Sequence, residues 1–302
     1  MRALVISGGG SKGAFAGGVA QYLIQELNHK YDIFLGTSTG SLLISHLALG
    51  KIEKIKEVYT SVNQHSIFSN CPFVIQKKHG VDNIAINHWN VFKNFYHGSK
   101  TFGESHNLLK LIKKTLTVEE FETLKSSHKD IAAAVSNLSL NQVEYKSIND
   151  FTYEEFCEWI WISCNYTPFM SLVKKNGCEY ADGGLGTMVP IEEAIKRGAT
   201  EVDAIILQTE TTLFNRMPSK NAFSLLTTMF SYMLDRIEHQ NIRIGKYVAK
   251  HNKAIINFYY TPAVLTTNSL IFNKEKMTAW WESGYNFAKY KNTELNQIEP
   301  EI

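Results

Sequence analysis

The twelve residues from Asp32 to Leu43, DIFLGTSTGSLL, restrict the fold more than any other stretch of this 302-residue chain. Ile33, Phe34 and Leu35 form a short apolar run of strand type, and Ser41 to Leu49 reads as an apolar helix. Between them stands Gly36-Thr37-Ser38-Thr39-Gly40. A G-x-S-x-G turn joining strand to helix presents its serine on a tight bend at a helix N-terminus, where the dipole favours developing negative charge. Gly36 and Gly40 suit such a bend because a Cβ at either place would collide with the neighbouring chain. Taken alone, the five residues fit equally a loop that caps the helix, with Ser38 or Thr39 as N-cap. The company they keep separates the two readings.

Ala3-Leu4-Val5-Ile6 is a continuous apolar run, the mark of a central strand covered on both faces. It leads into Ser7-Gly8-Gly9-Gly10-Ser11-Lys12-Gly13 and then a helix over Ala14 to Asn28, with Phe15, Val19, Leu23 and Leu27 as its core stripe. The order strand, helix, strand, helix predicts a parallel sheet with both glycine-bearing loops at its carboxyl edge, where open α/β sheets bind ligands. Gly8, Gly10 and Gly13 also match G-x-G-x-x-G, the dinucleotide fingerprint. That fingerprint wants an acidic residue at the far end of the second strand; here Asp32 stands at its beginning and Ser38 at its end. A Walker A loop is excluded, because glycine rather than Ser/Thr follows Lys12. The simpler account is an oxyanion hole, with bare glycine N–H groups and Lys12 close by.

With Asp182-Gly183-Gly184 far downstream, the GGGSKG and GTSTG blocks resemble the three signature blocks of the patatin-like phospholipase family, spanning Ile6 to about Pro190. That family is made of serine acyl hydrolases with an α/β fold. The resemblance implies a three-layer sandwich, its central sheet mainly parallel and its helices on both faces. Ser38 is similar to the family nucleophile, Asp182 to its partner in a Ser-Asp dyad, and Gly8, Gly9 and Gly10 to its oxyanion loop. Two departures stand out. Lys12 takes the place of the usual arginine, keeping the charge but losing the planar fork. Ser163-Cys164-Asn165-Tyr166-Thr167-Pro168 replaces smaller residues before the proline, which predicts a different pocket wall.

The residues around Asp182 support the assignment independently. Asn176-Gly177 is a two-residue hairpin signal, Cys178 to Ala181 reads as a strand, and Asp182 stands at its exit among Gly183, Gly184 and Gly186. A helix follows, with Pro190 near its start, Glu192 and Glu193 early, Lys196 and Arg197 late, and Gly198 as its stop. Alone, Asp182 also fits a turn aspartate bonded to its own backbone. No histidine stands in a pattern that marks it as a triad base, and a desolvated carboxylate can take that role. The expected oxyanion donors are the loop amides of Gly9 and Gly10 and the N–H of Thr39, within a set that includes Lys12 and Gly13.

The net charge of +2 gives no reason to expect nucleic acid, and the four cysteines lack zinc-type spacing. No cofactor or metal is called for, and no apolar stretch is long enough to span a bilayer. From Lys51 to Lys114, ten lysines face four acids, interleaved with Phe68, Phe73, Trp89, Phe92, Phe95, Tyr96 and Phe102. That composition suits either transient contact with an anionic membrane or a solvated lysine face. Ile131 to Val135 and Glu201 to Leu207 read as core strands, Val143 to Ile148 as a hairpin partner and Ala254 to Tyr260 as a last strand. Leu225, Leu226, Met229, Phe230, Met233, Leu234 and Ile237 form a helical stripe read mainly as core, and Lys274 to Tyr290 a last helix. One domain is expected, with a motif-bearing core over 3–208 and a helical portion over 222–291, in a cytoplasmic protein peripheral at membranes. The leading expectation is a lipid acyl hydrolase. Acyl transfer or thioester hydrolysis on the same serine, or nucleotide binding at the Gly8–Gly13 loop, are the alternatives.

Overall fold

The computed structural model describes residues 1–78, 81–211, 219 and 222–298. The chain lays down β1 (Arg2–Ile6), α1 (Gly13–Gln21), β2 (Ile33–Thr37) and α2 (Thr39–Ala48). Next come α3 (Ile52–Ser61), α4 (Gln64–Ile67), the antiparallel pair β3 (Phe73–Lys78) and β4 (Val81–Ile86), α5 (His88–Tyr96), α6 (His106–Thr115) and α7 (Val118–Ser126). The chain then returns to the main sheet with β5 (Asp130–Asn137) and β6 (Gln142–Ser147), followed by α8 (Tyr153–Ser163), β7 (Val173–Lys175) and β8 (Cys178–Asp182). It closes with α9 (Ile191–Lys196), β9 (Glu201–Ile206), α10 (Ala222–Asn252), β10 (Ile255–Tyr260) and α11 (Lys274–Ile298).

The sheet order is β10-β9-β1-β2-β5-β8-β7, with β6 also paired to β5. The five strands from β10 to β5 run parallel, and β6, β7 and β8 run antiparallel to their neighbours. The reason for the apolar run in β1 is visible in its alternation. Leu4 and Ile6 face one core, Ala3 and Val5 the other, and all four are fully buried. The first core is closed by α1, α2, α8 and α11, with Phe15, Phe156, Trp159 and Trp281 among its largest side chains. The second is closed by α9 and α10, through Ile191, Ile195 and Ala249. This is an α/β fold of three layers, its sheet mixed and mostly parallel.

The first helix differs from its expected extent. After Gln21 it widens into a π turn over Tyr22–Glu26 and ends before Asn28, which adopts φ 52°, a conformation asparagine tolerates well. The expected hairpin turn forms at Asn176 (φ 51°) and Gly177 (φ 79°), and Gly198 (φ 97°) ends α9. The stretch between α2 and β5, irregular by pattern, is a succession of short helices around β3 and β4.

Candidate active site

The site forms where two strands abut. β5 has β6 along one edge; along the other it pairs first with β2 and then with β8. Thr37 faces Ala134 and Asp182 faces the next residue, Val135, so the ends of β2 and β8 meet head on. Ser38 leaves β2 at that point. Its hydroxyl donates to Asp182 Oδ2 at 2.6 Å across 144 residues of sequence.

Ser38 holds φ 51° and ψ −120°, a conformation that costs a non-glycine residue about 1–3 kcal/mol and persists only where the surroundings impose it. The surroundings do so from every side. A Cβ on Gly36 would lie 2.4 Å from the Gly40 carbonyl carbon, and one on Gly40 would lie 2.3 Å from the Ile6 carbonyl oxygen. The Ser38 N–H donates to Ser163 Oγ at 3.0 Å, and its carbonyl accepts from Cys164 Sγ at 3.1 Å and Ser41 Oγ at 2.6 Å.

Asp182 is buried. Its N–H donates to the Asn165 carbonyl at 2.9 Å and its Oδ1 accepts the Gly184 N–H at 2.7 Å. Loss of water raises its pKa to about 7, against the hydrogen bonds from Ser38 and Gly184, which pull it down. Gly184 is small of necessity: a Cβ would sit 3.0 Å from Asp182 Oδ1 and 2.6 Å from Met188 Sδ. A Cβ on Gly183 would press to 2.2 Å from the Ala134 carbonyl oxygen.

The glycine loop lies against Ser38, with the Cβ position of Gly8 only 3.3 Å from Ser38 Cβ. Its amides divide by partner. Gly8 N–H donates to the Met188 carbonyl at 3.2 Å, and Gly13 N–H turns back to the Gly10 carbonyl. Gly9, Gly10 and Thr39 line the cavity beside Ser38. The Gly10 carbonyl is pinned by Thr39 Oγ1 at 3.0 Å and Tyr59 OH at 2.7 Å. Lys12 reaches across to the Leu207 carbonyl, its Nζ 2.6 Å away, and burial lowers its pKa. Glu238 and Asp235 of α10 oppose that shift, and burial pushes the Glu238 carboxyl up to about 8.

From Ser38 a cavity of about 690 Å³ opens between α2, α3 and α6. Leu42, Ile55, Tyr59, Ile112, Leu116 and Phe169 make part of its apolar lining, while Gln208, Thr228, Ser231 and Asp235 add a polar side. His46 also lines it, with Nε2 3.3 Å from the Thr115 carbonyl and a pKa lowered by burial.

The Leu225–Ile237 stripe packs against the cores through Leu226, Phe230, Leu234 and Ile237. Its remaining members, Leu225, Met229 and Met233, are exposed, and Leu234 with Thr227, Thr228 and Ser231 lines the cavity, so this part of α10 is also a wall. A helical period of apolar residues describes a wall and a core helix alike. Of the segment read as pocket wall, Cys164 and Tyr166 do line the cavity, and Ser163, Cys164 and Asn165 in addition brace both Ser38 and Asp182. Tyr59, Met188 and Leu207, also part of the site, carry no sequence signal. The lysine-rich segment is partly neutralised. Lys51 and Lys54 converge on Glu120, Lys100 pairs with Glu179 and Lys113 with Glu154, all acids outside that segment.

A serine hydrogen-bonded to a buried carboxylate at the carboxyl edge of such a sheet, over an apolar cavity, is an arrangement with the chemistry for attack on an acyl carbonyl. The model of the patatin-like phospholipases matches residues 4–195, and the chain belongs to that family, whose members are lipid acyl hydrolases. VipD from Legionella pneumophila is similar in fold, with a TM-score of 0.53 and 15% sequence identity. The match covers 96% of this chain and 66% of VipD, so the chain spans slightly less than two thirds of that protein's length. No curated protein sequence matches this chain.

Proposed function

We propose that this protein is a phospholipase A-type lipid acyl hydrolase working through Ser38 and Asp182 by an acyl-enzyme. The observation that carries the reading is the 2.6 Å hydrogen bond from Ser38 Oγ to a buried carboxylate whose pKa is raised to about 7. Asp182 accepts the Ser38 proton as Oγ attacks the ester carbonyl carbon. The resulting oxyanion is held by the N–H groups of Gly9, Gly10 and Thr39, backed by the N-terminus of α2. Asp182 then returns the proton to the departing alcohol, leaving Ser38 acylated. Water, giving its proton to Asp182, hydrolyses that ester and restores the serine. The apolar cavity takes the acyl chain, and the substrate is drawn from lipid at a membrane surface. No helix among the described residues is long and apolar enough to cross a membrane.

The test uses a fluorophosphonate probe and a total lipid extract. Wild-type protein labels covalently and releases fatty acids detectable by mass spectrometry; Ser38→Ala does neither. Undiminished labelling of Ser38→Ala would remove Ser38 from its role.

A further inference from the structure

Two helices hold large apolar side chains out toward water. On α5, Trp89, Phe92 and Tyr96 follow at spacings of three and four, which places them on one face. Their rings stack in sequence, Trp89 on Phe92 at 6.2 Å and Phe92 on Tyr96 at 6.4 Å. All three are 62–79% exposed, while Val91 and Asn94 face inward. On α10 the first thirteen residues, 222–234, carry no charge. There Leu225, Met229, Tyr232 and Met233 form an outer stripe 44–61% exposed, behind the wall that lines the cavity. Contiguous exposed surfaces of this kind mark sites of contact.

The two helices are joined through the cavity wall. Phe95 of α5 touches Phe102 at 5.9 Å, Phe102 touches Phe169 at 5.7 Å, and Phe169 touches Phe230 of α10 at 5.9 Å. Phe169 itself lines the cavity. A chain of ring contacts therefore links both helices to the lining of the cavity that would take the acyl chain. The chemistry of the two exposed stripes is that of the membrane interface, where tryptophan and tyrosine settle at headgroup level and leucine and methionine just beneath. Lys93 is the only lysine, arginine, aspartate or glutamate on α5. The ion pairs of Lys51, Lys54, Lys100 and Lys113 offset part of the positive charge of the neighbouring segment, so the exposed faces of the two helices are marked by apolar rather than charged side chains.

We infer that the outer face of α5 and the first turns of α10 form a docking surface for a neutral, zwitterionic bilayer, seating the cavity mouth at the lipid interface through aromatic insertion. The inference rests on the lipid-hydrolase reading of the site and deepens it, replacing lysine attraction by apolar insertion as the source of contact. A surface of this composition holds lipid in high salt, because its attraction is not Coulombic.

The experiment uses phosphatidylcholine vesicles and two proteins, wild type and the combined variant Trp89→Ser, Phe92→Ser, Tyr96→Ser, with Trp89→Ser alone as a milder second variant. Wild type is expected to sediment with vesicles equally at about 0.1 M and about 1 M salt. The triple variant should lose binding by about tenfold or more, and Trp89→Ser part of it. Hydrolysis of a soluble short-chain ester should be unchanged in both. Wild-type binding that requires anionic lipid or vanishes in high salt overturns the inference. So do variants that bind like wild type, and a triple variant that changes only the oligomeric state. Vesicle binding without ester hydrolysis by wild type would instead strike the hydrolase reading and leave the docking surface standing.

Discussion

The Ser163 hydroxyl accepts the backbone N–H of Ser38 at 3.0 Å, joining residues 125 apart in sequence. α8 ends at Ser163, and the next two residues continue the brace, Cys164 on the Ser38 carbonyl and Asn165 on the Asp182 N–H. Three consecutive residues thus hold both members of the pair. Ser163→Ala removes the acceptor for an amide in a strained turn and should destabilise by about 1–3 kcal/mol. Turnover of a soluble ester should fall with KM little changed, because the nucleophile loses its fixed position rather than its substrate contacts. Urea unfolding and steady-state kinetics read the two effects. A loss of stability with full turnover would reduce Ser163 to packing.

Lys12 is committed to the protein. Its ammonium donates to the Leu207 carbonyl and faces Glu238 across a buried space. Lys12→Met keeps the length, strands that carbonyl and leaves Glu238 without its facing cation. The expected loss is about 1–3 kcal/mol of stability, with KM for a soluble ester preserved. A raised KM at unchanged stability would place the charge on the substrate instead.

Much of this arrangement is legible in the sequence because it is local. Ala3–Ile6, the GGGSKG loop and GTSTG specify strand, turn and helix within a few residues each, and Pro190 and Gly198 bracket α9 in the same way. That the glycine loop and the serine share one rim follows from the parallel order alone. The rest depends on contacts that no local pattern encodes. The three-residue brace is an end of one helix meeting the start of another, visible only after β8 has been placed beside β5. The stripe on α10 has the same period whether it faces a core or a cavity. Four of the ten lysines between Lys51 and Lys114 pair with Glu120, Glu154 and Glu179, partners that come from later in the chain and that no local pattern announces.

Gly40 tests how closely α2 must sit on the sheet. Alanine is the better helix former by about 1 kcal/mol, so a loosely held α2 would gain from Gly40→Ala. The added Cβ, however, would stand 2.3 Å from the Ile6 carbonyl oxygen, a backbone atom of the central strand that cannot swing aside. Overpacking of this kind costs about 1–3 kcal/mol, and the steric cost should win. The midpoint of urea unfolding should fall, and soluble-ester turnover should fall with it as Ser38 is levered away from Asp182. A midpoint equal to or above wild type would show that α2 can slide.

Asp182 sets opposite pH slopes for activity and for stability. Its role as base requires the ionised form, and burial raises its pKa to about 7. kcat/KM for a soluble ester should therefore climb with pH, pass half-maximum near 7 and level off about one unit above. Stability runs the other way. In the unfolded chain the carboxyl titrates near about 3.9, so between about pH 4 and pH 7 the folded protein binds more protons than the unfolded one. The stabilising contribution of this group is complete below its unfolded pKa and is lost as pH rises through the folded value. Asp182→Asn separates the two effects. The amide accepts no proton, so activity should fall by about 100-fold or more and lose its rising limb. Having no buried charge to form, the variant should melt above wild type at about pH 8 and lose that advantage at about pH 5. Melting curves and pH–rate profiles over that range check both. A rising limb that survives in Asp182→Asn would assign the base to another residue.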